Sequence, residues 1–197
     1  MTQIINWLIT NWVETIAAFL GLLGIFLQIK QNAWYWFTAI IMVLLYIYVF
    51  YVSGFYADMA FQFYYLVVGI YGWIHWVRTK NIAKNEKLQV FKLSKLHNLF
   101  ALLASAVFFG IIYFILVNFT DSQVPLGDAF TTALSITATW LLARKILENW
   151  LYWIVVDLVS TILYVYKSLY PSAILFSVLT ILAVVGYFKW RKALVYE

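Results

Sequence analysis

The sequence predicts an all-α integral membrane protein with seven transmembrane helices. Composition is the first of three observations behind this. The 197 residues are 65% hydrophobic and 11% charged, with a mean hydropathy of +0.89, where a soluble domain is nearer half apolar and a quarter charged. The second is a set of seven apolar runs, each near the roughly 20 residues that a helix needs to cross hydrocarbon. The third is the placement of Lys and Arg, which collect on one set of connections.

In chain order, the opening MTQIINWLITNW has neither a basic start nor a small-residue cleavage site, so it does not read as a signal peptide. It predicts a short interfacial helix leading into the first span. The spans run over 12–29, 34–52, 57–77, 98–118, 128–143, 149–166 and 170–189. The fifth and sixth are short for a straight crossing, which predicts tilt or shared boundaries. Two connections are longer than the rest. Residues 78–97 are polar and basic, and FTDSQVPLG at 119–127 holds turn formers. Residues 1–197 read as a single transmembrane domain.

Charge gives an expected orientation. With the N-terminus outside, the inner side receives Lys30, Arg78, Lys80, Lys84, Lys87, Lys92, Lys95, Arg144, Lys145, Lys189, Arg191 and Lys192, and the outer side only Lys167. Twelve against one predicts an outer N-terminus and a cytoplasmic C-terminus. Topology thus accounts for the net charge of +5 without a nucleic-acid partner. With no Cys there is no disulfide framework, thiolate metal site or cysteine nucleophile.

The two ends of the chain resemble each other. A shift of 114 residues sets Glu14 on Asp128, Leu27 on Leu141, Lys30 on Arg144 and Trp36 on Trp150. It also sets Phe50 on Tyr164, Tyr56 on Tyr170, Gly72 on Gly186 and Trp76 on Trp190. Both halves end in an aromatic signature, YGWIHW at 71–76 and GYFKW at 186–190. The expected plan is 3+1+3: a first three-helix repeat at 12–77, a linker helix at 98–118 and a second repeat at 128–190. One linker span leaves the two repeats parallel, a transporter architecture with its substrate near mid-membrane between them.

The most informative stretch is WLYWIVVDLVSTILY, Trp150 to Tyr164. It is almost wholly apolar, yet Asp157 stands in its middle. On a helix, Trp150, Trp153, Asp157, Thr161 and Tyr164 fall within about 80° of one another. A charge in hydrocarbon costs roughly 3 kcal/mol or more, so an intramembrane acid marks a candidate functional site. Its aromatic neighbours fit a ring, including a cationic one. Span three has a similar stripe of Asp58, Gln62, Tyr65, Gly69, Gly72 and Trp76. Span five offers Asp128, Thr132, Ser135 and Thr139, and span one Glu14, Ala18, Gly21 and Gln28. Each has a plainer reading. Glycines in spans pack helices, and Trp34, Trp73 and Trp190 read as interface anchors, with Trp76 open to either role. Glu14 and Asp128, at matching outer ends, cap their helices, pair with each other's half or contact the ligand, and with Asp58 they are the candidates for a gate or mouth.

Other classes find little support. His75 and His97 lack metal-ligand spacing, no Walker loop is present, and no nucleophile–His–acid set can be assembled. The expectation is a non-enzyme with no cofactor, no metal and no catalytic residue.

The segments DAFTTALSITATWLLARKILENWLYWIVVD at 128–157 and YADMAFQFYYLVVGIYGWIHW at 56–76 resemble the Pnu vitamin transporters of the PnuC type. The resemblance covers essentially the whole chain. It implies a bacterial inner-membrane homotrimer whose protomers carry a vitamin precursor by facilitated diffusion. A cytoplasmic vitamin kinase then traps the substrate by phosphorylation. Nicotinamide riboside is the best known substrate, PnuT members carry thiamine, and another branch carries riboflavin. Some riboside members carry Asn where this chain has Met42, Gly69 and Asp157, and SITATWLLARK and IVVD look more like the thiamine branch. The resemblance therefore implies thiamine, with nicotinamide riboside as the alternative. A proton-coupled symporter built on Asp157 is the alternative class. The implied pocket is Gln62, Tyr65, Thr139, Trp153, Asp157 and Tyr164. Gln62 and Thr139 would hydrogen-bond substrate, the aromatics would stack on its ring, and Asp157 would balance its charge.

Overall fold

The computed structural model describes residues 12–52, 56–82 and 90–194. Among them are seven helices: α1 (Trp12–Ile29), α2 (Trp34–Val52), α3 (Tyr56–Ile82), α4 (Lys95–Phe119), α5 (Pro125–Ala143), α6 (Asn149–Tyr166) and α7 (Tyr170–Arg191). The interfacial helix expected before α1 lies outside the described residues. Four stretches are long and apolar enough to cross a bilayer: α2, α4, α6 and Ser172–Arg191 of α7. α1 is apolar over Phe19–Ile29.

Boundaries follow local chemistry. α4 begins three residues earlier than its apolar run, because Ser94 caps it and accepts from the His97 N–H at 3.3 Å. α5 begins at Pro125, whose fixed φ and missing N–H suit a first helical turn. The extra turn resolves the short fifth span. With 19 and 18 residues, α5 and α6 reach about 28 Å, near the hydrocarbon thickness.

The chain divides into two compact units, Met1–Ile82 and Ala83–Glu197. In the first, α1 packs on α2 and α2 on α3. The turn between α1 and α2 is a Schellman motif. The Gln31 N–H donates to the Gln28 carbonyl and the Asn32 N–H to the Leu27 carbonyl, both at 2.9 Å. Gln31 takes φ 55° to close it. Trp36 then lies across α3. A Cβ on Gly72 would come within 2.4 Å of its ring, and Trp76 meets it edge-on at 5.7 Å and 89°. Only glycine admits so close an approach of indole to helix backbone.

In the second unit α4 packs on α5, α5 on α6 and α6 on α7. The turn between α5 and α6 has the same bonds, Lys145 N–H to Leu142 carbonyl at 2.9 Å and Ile146 N–H to Leu141 carbonyl at 3.0 Å. Lys145 has φ 55°. Trp150 presses on Gly186, where a Cβ would lie 2.5 Å from the ring, and meets Trp190 edge-on at 5.5 Å and 86°. Trp190 is fully buried, so the expected interface anchor is a packing residue instead. Trp76 is buried in the same way, whereas Trp34 is 58% exposed, as an anchor should be.

A short strap closes the second turn. Phe91 donates to the Lys145 carbonyl at 3.1 Å and accepts from the Leu147 N–H at 2.9 Å. The Leu93 N–H donates to Glu148 Oε2 at 3.1 Å. Val90 pairs in parallel with Leu194 beyond α7. Glu148, Lys145 and Asn149 are all buried in this turn. Burial pushes the Lys145 amine down to about 8 from 10.5, because removal from water disfavours its charge.

Candidate functional site

The six residues of the expected pocket divide between the units. Gln62 and Tyr65 stand on α3, half-buried, with Tyr65 edge-on to Tyr64 at 5.4 Å. Thr139 stands on α5, and Trp153, Asp157 and Tyr164 on α6.

The lower part of the α3 stripe is a packing seam. Gly69 faces Ile40, whose Cγ1 would lie 3.3 Å from an added Cβ, and Gly72 and Trp76 meet Trp36. Thr139 spends its hydroxyl hydrogen within its own helix, donating to the Ser135 carbonyl at 2.8 Å. Ser135 does the same to Thr131 at 2.8 Å. Such back-bonding settles hydroxyls inside a membrane helix. It leaves Thr139 lone pairs, not a proton, to offer. Tyr164 tilts against Phe176 of α7, ring centres 5.0 Å apart.

Trp153 and Asp157 behave differently. The Trp153 indole N–H is buried with no acceptor among the described residues. Asp157 is 5% exposed, and only its carbonyl is engaged, by the Thr161 hydroxyl at 2.8 Å. Its carboxyl group has no partner among the described residues. Asn149, which the sequence reading passed over, completes a line. It is fully buried. Its Nδ2 donates to the Ile146 carbonyl at 2.5 Å, while Oδ1 is buried with no donor among the described residues. Asn149, Trp153 and Asp157 stand four residues apart, so they climb one face of α6 over about 12 Å. They present an acceptor, a donor and an acid, each with unmet hydrogen-bonding capacity. The spacing is visible in ENWLYWIVVD, but a face drawn from Trp150 leaves Asn149 at its edge.

A cleft of about 470 Å³ opens elsewhere in this unit, lined mainly by Leu102, Phe130, Leu134, Leu151 and Val155. It shares none of the six residues, and Leu151 and Val155 lie on roughly the opposite face of α6 from Asp157. The outer candidates are also placed in part. Asp128, in the first turn of α5, accepts from Lys167 Nζ at 3.2 Å and from the Ser122 hydroxyl at 2.8 Å. The side chains of Glu14 and Asp58 lie outside those described. No cluster of three or more His, Asp or Glu side chains gathers among the described residues.

Residues 11–192 match the family described as nicotinamide mononucleotide transporter. The chain belongs to this family. It is 23% identical over 203 residues to a nicotinamide riboside transporter PnuC of Escherichia coli (strain K12), covering 91% of this chain and 85% of that one. A nicotinamide riboside transporter PnuC of Neisseria mucosa is 24% identical over 191 residues, covering 92% and 73%. A crystal structure of the vitamin B3 transporter PnuC superposes with a TM-score of 0.74 at 25% identity, covering 94% and 84%. The protein is therefore a Pnu-type, multi-pass membrane transporter with an all-helical fold.

The thiamine expectation gains no support from these relatives, and the riboside alternative is the better supported of the two. Two of the three departures behind it are packing positions. Met42 lies with its sulfur 3.8 Å from where a Gly21 Cβ would stand, and Gly69 sits against Ile40. Only Asp157 remains as a polar difference.

Proposed function

We propose that the protein carries nicotinamide riboside across the bacterial cytoplasmic membrane by facilitated diffusion. The line of Asn149, Trp153 and Asp157 is the observation that carries this reading. A nicotinamide riboside offers a carboxamide, ribose hydroxyls and a cationic aromatic ring. The three side chains offer an acceptor, a donor on a stacking surface, and a counter-charge. Thr139 and Tyr164 complete the proposed pocket within this unit, Thr139 as an acceptor only. Relatives named for nicotinamide riboside support the substrate class.

Between the end arginines and lysines the spans contain no cation to receive a phosphate. The riboside therefore fits better than the mononucleotide, whose phosphate adds about two negative charges. A passive carrier has the same standing on both sides, so net uptake needs phosphorylation inside, by a cytoplasmic kinase. A 3+1+3 plan, a homotrimer, an outer N-terminus and an inner C-terminus belong to the same proposal.

The test is binding of nicotinamide riboside, its mononucleotide and thiamine to the purified protein, read by tryptophan fluorescence. Riboside should bind at least about tenfold more tightly than either competitor, a gap of about 1.4 kcal/mol. Tighter binding of thiamine or the mononucleotide would overturn the proposal.

A further inference from the structure

Hydroxyls inside a membrane helix ordinarily turn back on their own backbone. Ser135, Thr139, Thr161 and Ser177 do so, each donating to the carbonyl four residues earlier at 2.8 Å. On α5 and α6 two do not. Ser160, 7% exposed, and the half-buried Thr132 make no side-chain hydrogen bond among the described residues. Ser160 stands eleven, seven and three residues beyond Asn149, Trp153 and Asp157, so it extends their face of α6 by another turn. Thr132 shares a face of α5 with Asp128 and Thr139, four residues after the one and seven before the other. The ion pair from Asp128 to Lys167 ties that face to α6, where Lys167 stands eighteen residues, five full turns, beyond Asn149. A Cβ on Gly127 would meet the Leu163 side chain at 2.7 Å. The two helices are antiparallel, and Thr132 lies four and five residues further along α5 than these contacts. It therefore comes level with residues 158–163 of α6, the stretch that holds Ser160.

Two hydroxyls with a hydrogen to give and lone pairs to share, and a carboxyl group one turn away, match a vicinal diol, which both donates and accepts at each oxygen. We infer that Ser160 and Thr132 form the subsite for the ribose of the substrate and set its preference for a ring that carries a pentose diol. The inference rests on the riboside reading and deepens it, because it fixes which way the ligand lies. The carboxamide meets Asn149, the ring lies at Trp153 and Asp157, and the ribose points along α6 toward Ser160. Trp153 and Ser160 are about 10 Å apart along the helix, near the span of a pyridine ring joined to a pentose. Asp157 stands between them, beside both the ring and the sugar. Ser160 and Thr132 supply the donors that Thr139, bonded to its own helix, cannot.

The test removes hydroxyls from ligand and protein in turn. Nicotinamide riboside and its 2′-deoxy and 3′-deoxy forms are titrated onto the purified full chain, with tryptophan fluorescence as the readout. The parent should bind the riboside about three- to tenfold more tightly than either deoxy form. Ser160→Ala and Thr132→Val should each weaken the riboside by a similar factor. Each should leave unchanged the binding of one deoxy form, the one that lacks the hydroxyl its side chain meets. Ser177→Ala, which removes a back-bonded hydroxyl on α7, should keep the parent's ranking. A uniform loss on all three ligands would mark Ser160 and Thr132 as packing residues and overturn the inference. Unaltered riboside affinity in both variants would overturn it too. So would equal binding of all three ligands by the parent, a comparison that needs no variant to fold. Each of these results leaves the riboside reading intact. A parent that binds none of the three would sink both.

Discussion

The turn from α1 to α2 and the turn from α5 to α6 are built alike and sealed differently. Both close with a left-handed residue at φ 55°, Gln31 in one and Lys145 in the other. Both launch a helix whose first-turn tryptophan, Trp36 or Trp150, presses on a glycine and meets a second tryptophan edge-on. Around the second turn, however, the strap at 90–94 is hydrogen-bonded in place, and Lys145, Glu148 and Asn149 are buried. At the first turn the corresponding positions are Gln31, Trp34 and Tyr35, and Trp34 is exposed. Higher on the helix the contrast continues, with Ala39 and Val43 where the second half has Trp153 and Asp157. At these matched positions the packing is common to both halves, and the buried polar side chains stand in the second. Helices in lipid gain little from apolar burial against each other, so tight small-residue contacts carry association. That requirement is the same in both halves. Ligand recognition needs only one set of polar groups.

Filling the glycine seats tests the shared part and should have the largest effect. Gly72→Val and Gly186→Val each place a Cβ inside an indole ring. Overpacking of this kind costs about 1–3 kcal/mol. Each variant should lose roughly 3–10 °C of thermal stability in detergent, by scanning fluorimetry. Losses of similar size would mean that the two locks are energetically equivalent. Loss at one alone would break the comparison.

Titration tests the difference. The unfolded chain keeps the Lys145 proton up to 10.5, whereas the folded protein gives it up near 8. Between those values the unfolded state binds more protons, so stability should rise with pH from about 8 to about 10.5. Lys145→Gln installs the residue found at the first turn and should flatten that rise. An unchanged pH profile in the variant would assign it to another group. Glu148→Ala acts on the same turn by removing the acceptor of the Leu93 N–H. Leaving the part-buried Leu93 N–H without its acceptor costs about 1–3 kcal/mol. Hydrogen exchange should quicken at Leu93, Phe91 and Leu147. Trp34→Ala, at the matching position of the first turn, should leave exchange there unaltered.

Much of this was legible in the sequence, and the reason is periodicity. Seven apolar runs gave seven helices, because a bilayer admits few alternatives for a long apolar segment. The pairs Trp36 with Trp150, Gly72 with Gly186 and Trp76 with Trp190 were visible under the 114-residue shift, since close ring-on-backbone contact demands those residue types. What a helical wheel cannot tell is which face meets another helix. Gly69, Gly72 and Trp76 share a face with Gln62, yet they pack on α2. Nor can it tell whether a hydroxyl is already used, as at Thr139, or an amide left half-satisfied, as at Asn149. The strap at 90–94 was read only as a basic connection. Its bonds are made by backbone groups, which every residue carries.

The smallest expected effect lies at the opposite ends of α5 and α6. Lys167 follows the last turn of α6 and Asp128 stands in the first turn of α5, each at the helix end whose dipole favours its charge. Their ion pair at 3.2 Å links the two, with side chains 25% and 34% exposed. The residue 114 positions before Lys167 is Ser53, so the first half lacks the cation for such a latch. Pairs this exposed are worth about 0.2–1 kcal/mol and weaken with salt. Asp128→Asn keeps an acceptor for Ser122 and removes only the charge. It should lower thermal stability by no more than about 3 °C at low salt, and the difference from the parent should vanish near 1 M salt. A larger, salt-independent loss would show that Asp128 holds the α4–α5 connection through the Ser122 bond more than through Lys167. That end of α5 would then be fixed by hydrogen bonding, as the turn between α5 and α6 is.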